Sequence, residues 1–274
     1  MGLRTLLGAR AQGFFIPYRY AADLSRQAGS RPYPAMEAVF AVAVPRFEET
    51  MSLLERYGAD LTSIGRKPAP APRFEQDWFP RLDAAVAYTM IRARRPKRLV
   101  EVGSGHSTRF FVRAATDEGT NVDLTAIDPA PRADCATLPV RLIRSTIQEV
   151  GRTPFAGLGA GDTVSIDSSH ILMPGTDVDV LLNRVLPELP PGVLVHIHDM
   201  FLPHDYPPAW AWRAYNEQLG VAALLHGGAW RVLWSSQYVL RHCPEVMNGS
   251  IVHRLPLWPG AFESSLWLEK IRLC

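Results

Sequence analysis

Cysteine is scarce in this sequence. Cys135, Cys243 and Cys274 stand far apart with no Cys-x-x-Cys pair, which argues against a disulfide framework and against a thiolate zinc site. No apolar run approaches the ~20 residues that cross a bilayer. The N-terminus, with Arg4 and Arg10 around a short apolar segment, has no signal-peptide plan, so a cytoplasmic chain without membrane attachment is expected. Charge of one sign is lacking too: 29 basic against 27 acidic residues leave +2, spread along the chain, which gives no footprint for nucleic acid and no polybasic patch. The glycine loop Gly103-Ser104-Gly105 is followed by His-Ser-Thr. It has neither the third glycine of a dinucleotide fingerprint nor a Walker Lys-Ser/Thr, so a pyrophosphate cradle is disfavoured.

What is present is a chain of 274 residues, 47% apolar, which suffices for one large domain or a domain with an appendage. Its organising stretch is Leu99 to Thr108, where an apolar run ends in Glu101 and two glycines and a helical pattern follows. Glycine has no Cβ and tolerates φ > 0, so Gly103 and Gly105, with Ser104 between them, can bring backbone N–H groups against a ligand at a helix N-terminus. One strand-turn-helix later, Val122 to Pro129 reads as a second strand ending in Asp128, a position from which a carboxylate grips the two hydroxyls of a ribose.

Strands are placed near Leu99–Val102, Leu124–Asp128, Val140–Ile143, Thr163–Asp167 and Val193–His198, with helices after most of them and a helix over Asp77–Arg92 before the first. Such alternation means an α/β fold with a doubly wound, mostly parallel sheet whose ligand crevice lies at the carboxyl ends of the strands. Trp230–Leu240 and Ser264–Leu268 are read as the last two of seven strands. Residues 1–75 differ: Ala35–Tyr57 is helical around Pro45 and Lys67–Pro72 is a stiff extended connector, giving an N-terminal helical extension to a domain over 76–274. The rings of Phe14, Phe15, Tyr18 and Tyr20 are assigned to core packing. Trp210–Leu225 is read as one amphipathic helix whose Trp210, Trp212 and Tyr215 either flank an acceptor or, as is commoner at this spacing, pack in the core.

The fourth strand delivers Asp167 and, three residues on, His170; the fifth delivers His198 and Asp199, with His196 in mid-strand as a structural residue. Carboxylates and imidazoles gathered at one point are costly without a task. His170 suits a general base, because an unperturbed pKa of about 6.5 leaves it largely neutral at pH 7. The turn Pro-His-Asp-Tyr-Pro supplies His204 and Asp205, which turn chemistry alone explains, with His204 second in line as a base.

With Glu101 two residues before Gly103, and Asp128 downstream, Arg98 to Tyr238 resembles the class I S-adenosylmethionine-dependent methyltransferases. Within them it is most similar to metal-assisted sugar O-methyltransferases of the macrolide-tailoring and rhamnosyl type. That resemblance implies S-adenosylmethionine held by Glu101, Gly103, Ser104, Gly105, Asp128 and Asp167. Ile147 and Gln148 would lie at the adenine, although Thr146 as an N-cap explains the same stretch. It further implies a divalent metal, magnesium or softer, at Asp167, His198 and Asp199, with His170 as base. The acceptor would be a small glycosidic or polyol hydroxyl, and the extension would cover the substrate or pair subunits. His198 departs from the pattern, since magnesium prefers oxygen ligands. Two rivals stand beside this reading: a catalytically silent protein of the same fold, and an oxygenase with His170, His198 and Asp167 or Asp199 as a facial iron triad.

Overall fold

In the computed structural model, which describes residues 2–9, 12–23, 32–131, 135 and 137–273, the helices α1 (Gly2–Leu6), α2 (Pro34–Ala41), α3 (Val44–Arg56), α4 (Gly58–Ser63) and α5 (Arg81–Arg94) precede β1 (Arg98–Val102). Arg10 and Cys274 lie outside the described residues. The helix α6 (His106–Glu118) leads to β2 (Asp123–Ile127) and β3 (Arg141–Ile143), and α7 (Ile147–Val150) leads to β4 (Thr163–Ile166). Next comes α8 (Asp177–Val180), prolonged by a π turn and a 3-10 turn, and then β5 (Leu194–Ile197). A 3-10 turn over Pro208–Arg213 and α9 (Glu217–His226) precede β6 (Trp230–Ser235), and α10 (Ser236–His242) precedes β7 (Leu266–Lys270).

The sheet order is β3-β2-β1-β4-β5-β7-β6, parallel from β3 to β5, with β7 antiparallel to both its neighbours. This is the doubly wound, mostly parallel seven-stranded sheet expected. Its register places the site. Val102 pairs with Ile127 and Ile166, and Ile166 with Ile197, so the residues that follow, Gly103, Asp128, Asp167 and His198, leave the sheet along one rim.

The helices α2 to α4 lie on the same core as the sheet: Phe40 stacks on Tyr238 at 5.4 Å, and Phe47 meets Trp234 edge-on at 5.8 Å. Pro45 stands in the first turn of α3, where its missing N–H has no helical partner to lose. Five sequence expectations need correction. Phe14, Phe15, Tyr18 and Tyr20 are 53–67% exposed rather than packed. Lys67–Pro72 is not an extended connector but a turn, closed by Ala71 N–H on Pro68 O and containing a cis Ala69–Pro70 bond. The helix expected from Asp77 starts at Arg81, because Gln76 Oε1 accepts from Trp78 and Phe79 N–H and holds them in a turn. Strand β6 stops at Ser235, whose hydroxyl caps α10 by accepting from Tyr238 N–H. The helix expected over Trp210–Leu225 is broken at Ala214, in the left-handed region at φ 53°, leaving Trp212 80% exposed. Cys135 and Cys243 are buried and free, and no described helix is long and apolar enough to cross a membrane.

Candidate active site

Glu101 ends inside the protein, beneath the glycine loop. Its carboxylate accepts from Ser107 Oγ at 2.5 Å and Thr108 Oγ1 at 2.6 Å, and Thr108 in turn accepts from Gly105 N–H at 2.9 Å, so it braces the loop from below. Burial, with Asp167 and Asp128 adding to it, pushes its pKa up to about 8 against the pull of the two hydroxyls. Asp128 accepts from both Ser104 N–H (2.8 Å) and Ser104 Oγ (2.9 Å), and its other oxygen accepts from Ala130 N–H. A Cβ on Gly105 would meet nothing within 4 Å, so this backbone borders open space. The open space over Gly105 therefore leaves room for a cofactor against the loop backbone, with Asp128 beside it.

Gly103, at φ +83°, is required: a Cβ there would lie 1.9 Å from Asp167 O. A Gly103→Ala protein should lose roughly 1–3 kcal/mol of stability from the forced conformation alone, read as a lower denaturation midpoint; an unchanged midpoint would mean the loop relaxes freely. Further along the rim, Ile147 is buried in the core and Gln148 is exposed, its amide donating to Gly175 O at 3.2 Å. Thr146 accepts from Glu149 N–H as the cap of α7.

At the ends of β4 and β5 the expected cluster assembles and gains two members. His170 Nε2 lies 3.4 Å from Asp167 Oδ1 and 3.5 Å from Asp199 Oδ2, while its Nδ1 is 2.8 Å from Glu217 Oε2. His198 Nδ1 lies 3.5 Å from Asp199 Oδ1 and 3.7 Å from Asp167 Oδ1, and its Nε2 is 3.3 Å from Asp83. Both His170 (φ 61°) and Asp199 (φ 57°) hold left-handed backbone, a strain found where the surroundings over-determine a site. Asp167, with 36% of its side chain exposed, opens to the crevice.

The electrostatics differ from the sequence expectation. Burial opposes a charge on His170, yet Asp167, Glu217 and Asp199 raise its pKa well above 6.5, so the imidazole is not the neutral base expected at pH 7. His198 is raised in the same way by Asp199, Asp167 and Asp83. Asp167, despite burial, is held well below the usual carboxylate range by His170 and His198. His196 fits its structural assignment: burial pushes its pKa down to about 3, and its neutral ring sits between Ser165 Oγ and Ser265 Oγ, each at 2.9 Å. His204 Nε2 lies 2.8 Å from His242 Nε2, and its buried Nδ1 has no hydrogen-bond partner.

Among the described residues no group of three or more His, Cys, Asp or Glu is arranged to hold an ion. Both ring nitrogens of His170 and of His198 face carboxylates, so imidazolium rings balance the charge at Asp167 and Asp199.

Residues 100–200 match the family model described as a methyltransferase domain. No curated protein matches the sequence. Solved structures of similar shape include the SAH-bound methyltransferase PaMTH1 of Podospora anserina, 16% identical over 94% of this chain and 99% of that one, with a TM-score of 0.45. The plantazolicin methyltransferase BpumL, in complex with a desmethyl analogue and SAH, is 13% identical over 84% and 98%, at 0.43. An O-methyltransferase from Bacillus cereus in complex with SAH is 9% identical over 81% and 90%, at 0.43.

Two residues outside the matched segment complete the cluster and were not expected from the sequence. Asp83 is fully buried on α5 and accepts from Ser264 N–H, Ser265 N–H and Ser236 Oγ besides facing His198. It is the only acid in the otherwise apolar stretch Leu82–Ile91, which is the signal that marks it. Glu217 opens α9 just after the break, and Asn216 and Glu217 N–H both donate to His170 O, locking acid and imidazole together.

Proposed function

We propose that the chain is an S-adenosylmethionine-dependent O-methyltransferase acting on a hydroxyl of a small glycosidic or polyol acceptor. The observation that carries it is one rim holding both halves of such a reaction: the glycine loop tied to Asp128 at β1 and β2, and the Glu217–His170 pair beside Asp167 at β4. When bound, the cofactor supplies an electrophilic methyl group. Gly103, Ser104 and Gly105 would hold its amino-acid end, Asp128 its ribose hydroxyls, and Ile147 and Gln148 would lie nearest the adenine. Glu217 holds His170 through Nδ1, which directs Nε2 to the rim, where the ring, once it has lost its own proton, takes the hydroxyl proton as the oxygen attacks. Asp167 and Asp199 stabilise the imidazolium that results.

Calorimetry with S-adenosylmethionine tests the cofactor half. Asp128→Ala should weaken binding by about 1.5–3 kcal/mol, the range for hydrogen bonds to a charged group. Unchanged affinity in a folded variant would refute the assignment. Product analysis with hydroxylated ring acceptors, looking for an O-methyl ether, tests the transfer itself.

A further inference from the structure

Beside His170 the crevice is walled by rings from the broken segment. Tyr215 lies 4.5 Å from the imidazole, Trp210 meets Tyr215 at 5.9 Å and Tyr206 at 6.4 Å, and Phe201 and Phe262 back Trp210 at 5.1 and 5.4 Å. Into this wall the guanidinium of Arg213 is inserted. The guanidinium of Arg213 stacks 4.2 Å from the Trp210 ring and 5.3 Å from that of Tyr215, and its Nη1 donates to Tyr215 OH at 3.1 Å. Its Nε is buried without a hydrogen-bond partner, and it forms no ion pair among the described residues.

A guanidinium donor left unpaired inside a protein is costly, and the planar fork is the group best matched to a carboxylate or phosphate. The acids of the cluster do not satisfy it: Asp167 and Asp199 are turned to the imidazoles, and Glu217 reaches His170 with Oε2 while its buried Oε1, which has no hydrogen-bond partner, forms no ion pair with Arg213. Nor does the cofactor loop lie here, for that loop follows β1, whereas Arg213 follows β5 and shares Tyr215 with the base. We propose that Arg213 is the anion-recognising residue of the acceptor site, so that the acceptor is a hydroxylated ring bearing a carboxylate or a phosphate. This rests on the methyltransferase reading, and it narrows the acceptor to an acidic one. The ring stacks on the aromatic wall, its acidic group pairs with Arg213, and the hydroxyl to be methylated faces His170 across Tyr215.

The test uses the full chain and the tryptophan emission of the wall, titrated with glucose, glucuronate and glucose 6-phosphate, in the wild type and in Arg213→Gln and Arg213→Lys. The expected result is that at least one anion binds about tenfold or more tightly than glucose, as a charge-assisted hydrogen bond allows. That preference should vanish in Arg213→Gln and persist in part in Arg213→Lys. Which anion is preferred separates carboxylate from phosphate. Equal binding of all three sugars, no quenching by either anion, or an unchanged preference in a folded Arg213→Gln protein overturns the proposal. Because binding is read without turnover, S-adenosylmethionine calorimetry on the same samples keeps the two readings apart. A lost preference for anions in the wild type with intact cofactor binding removes this inference alone.

Discussion

Replacing His170 by alanine should lower kcat by about 10²- to 10⁴-fold, the contribution of a positioned base, with cofactor affinity nearly unchanged. The pH profile makes the expectation specific. Only the unprotonated ring accepts a proton, so the rate must rise with pH through the pKa of His170, and Asp167, Glu217 and Asp199 hold that pKa above 6.5 against burial. The acidic limb of kcat should therefore have its midpoint above 6.5, and the alanine variant should lose that limb. Near-normal kcat with the limb intact would place the base elsewhere.

The largest loss of stability is expected at Asp83. Alanine there would strip acceptors from Ser264 N–H, Ser265 N–H and Ser236 Oγ and leave His198 without one of its counter-charges, all in the interior. Removing one partner of a buried charge pair costs about 3–5 kcal/mol, which corresponds to a fall in Tm on the order of 10 °C. The loss should depend on pH. Burial raises the pKa of Asp83, but His198, Ser236 and Ser264 bring it below its ordinary 3.8, so its contribution is present above that value and lost as pH falls through the folded one. His198 is raised above 6.5, so its contribution is present below 6.5 and lost as pH rises through the folded pKa. The gap between wild type and Asp83→Ala should be widest between about pH 4 and 6.5; a gap that does not vary with pH would mean that packing, not charge, is what Asp83 provides.

The strand ends were legible in the sequence because each is marked twice over, by an aliphatic run and by the residue that closes it. That is why Gly103, Asp128, Asp167 and His198 could be placed on one rim before their register was known. Position along the strand also separated His196, in mid-strand, from His198 at its end. What local pattern cannot carry is a partner supplied from elsewhere in the chain. Asp83 stands 115 positions from His198, and Glu217 stands 47 from His170. The charge state of His170 was misjudged for this reason, since two of the groups that set it, Glu217 and Asp199, come from other elements. The break at Ala214 was hidden because the apolar spacing runs on through it, and the exposed rings of Phe14 to Tyr20 because aromatic content favours burial only on average.

The backbone contact between Gly103 and Asp167 makes the two halves of the crevice one object. On the proposed reading, the floor under the loop that would hold the cofactor is the carbonyl of Asp167, whose acid would face the acceptor, with no side chain between them. Selectivity for the methyl donor and selectivity for the acceptor would then share a partition one peptide thick. Any redesign that shifts the end of β4 to admit a bulkier acceptor will press on Gly103 and change donor affinity in the same stroke, so variants of the two properties must be selected together.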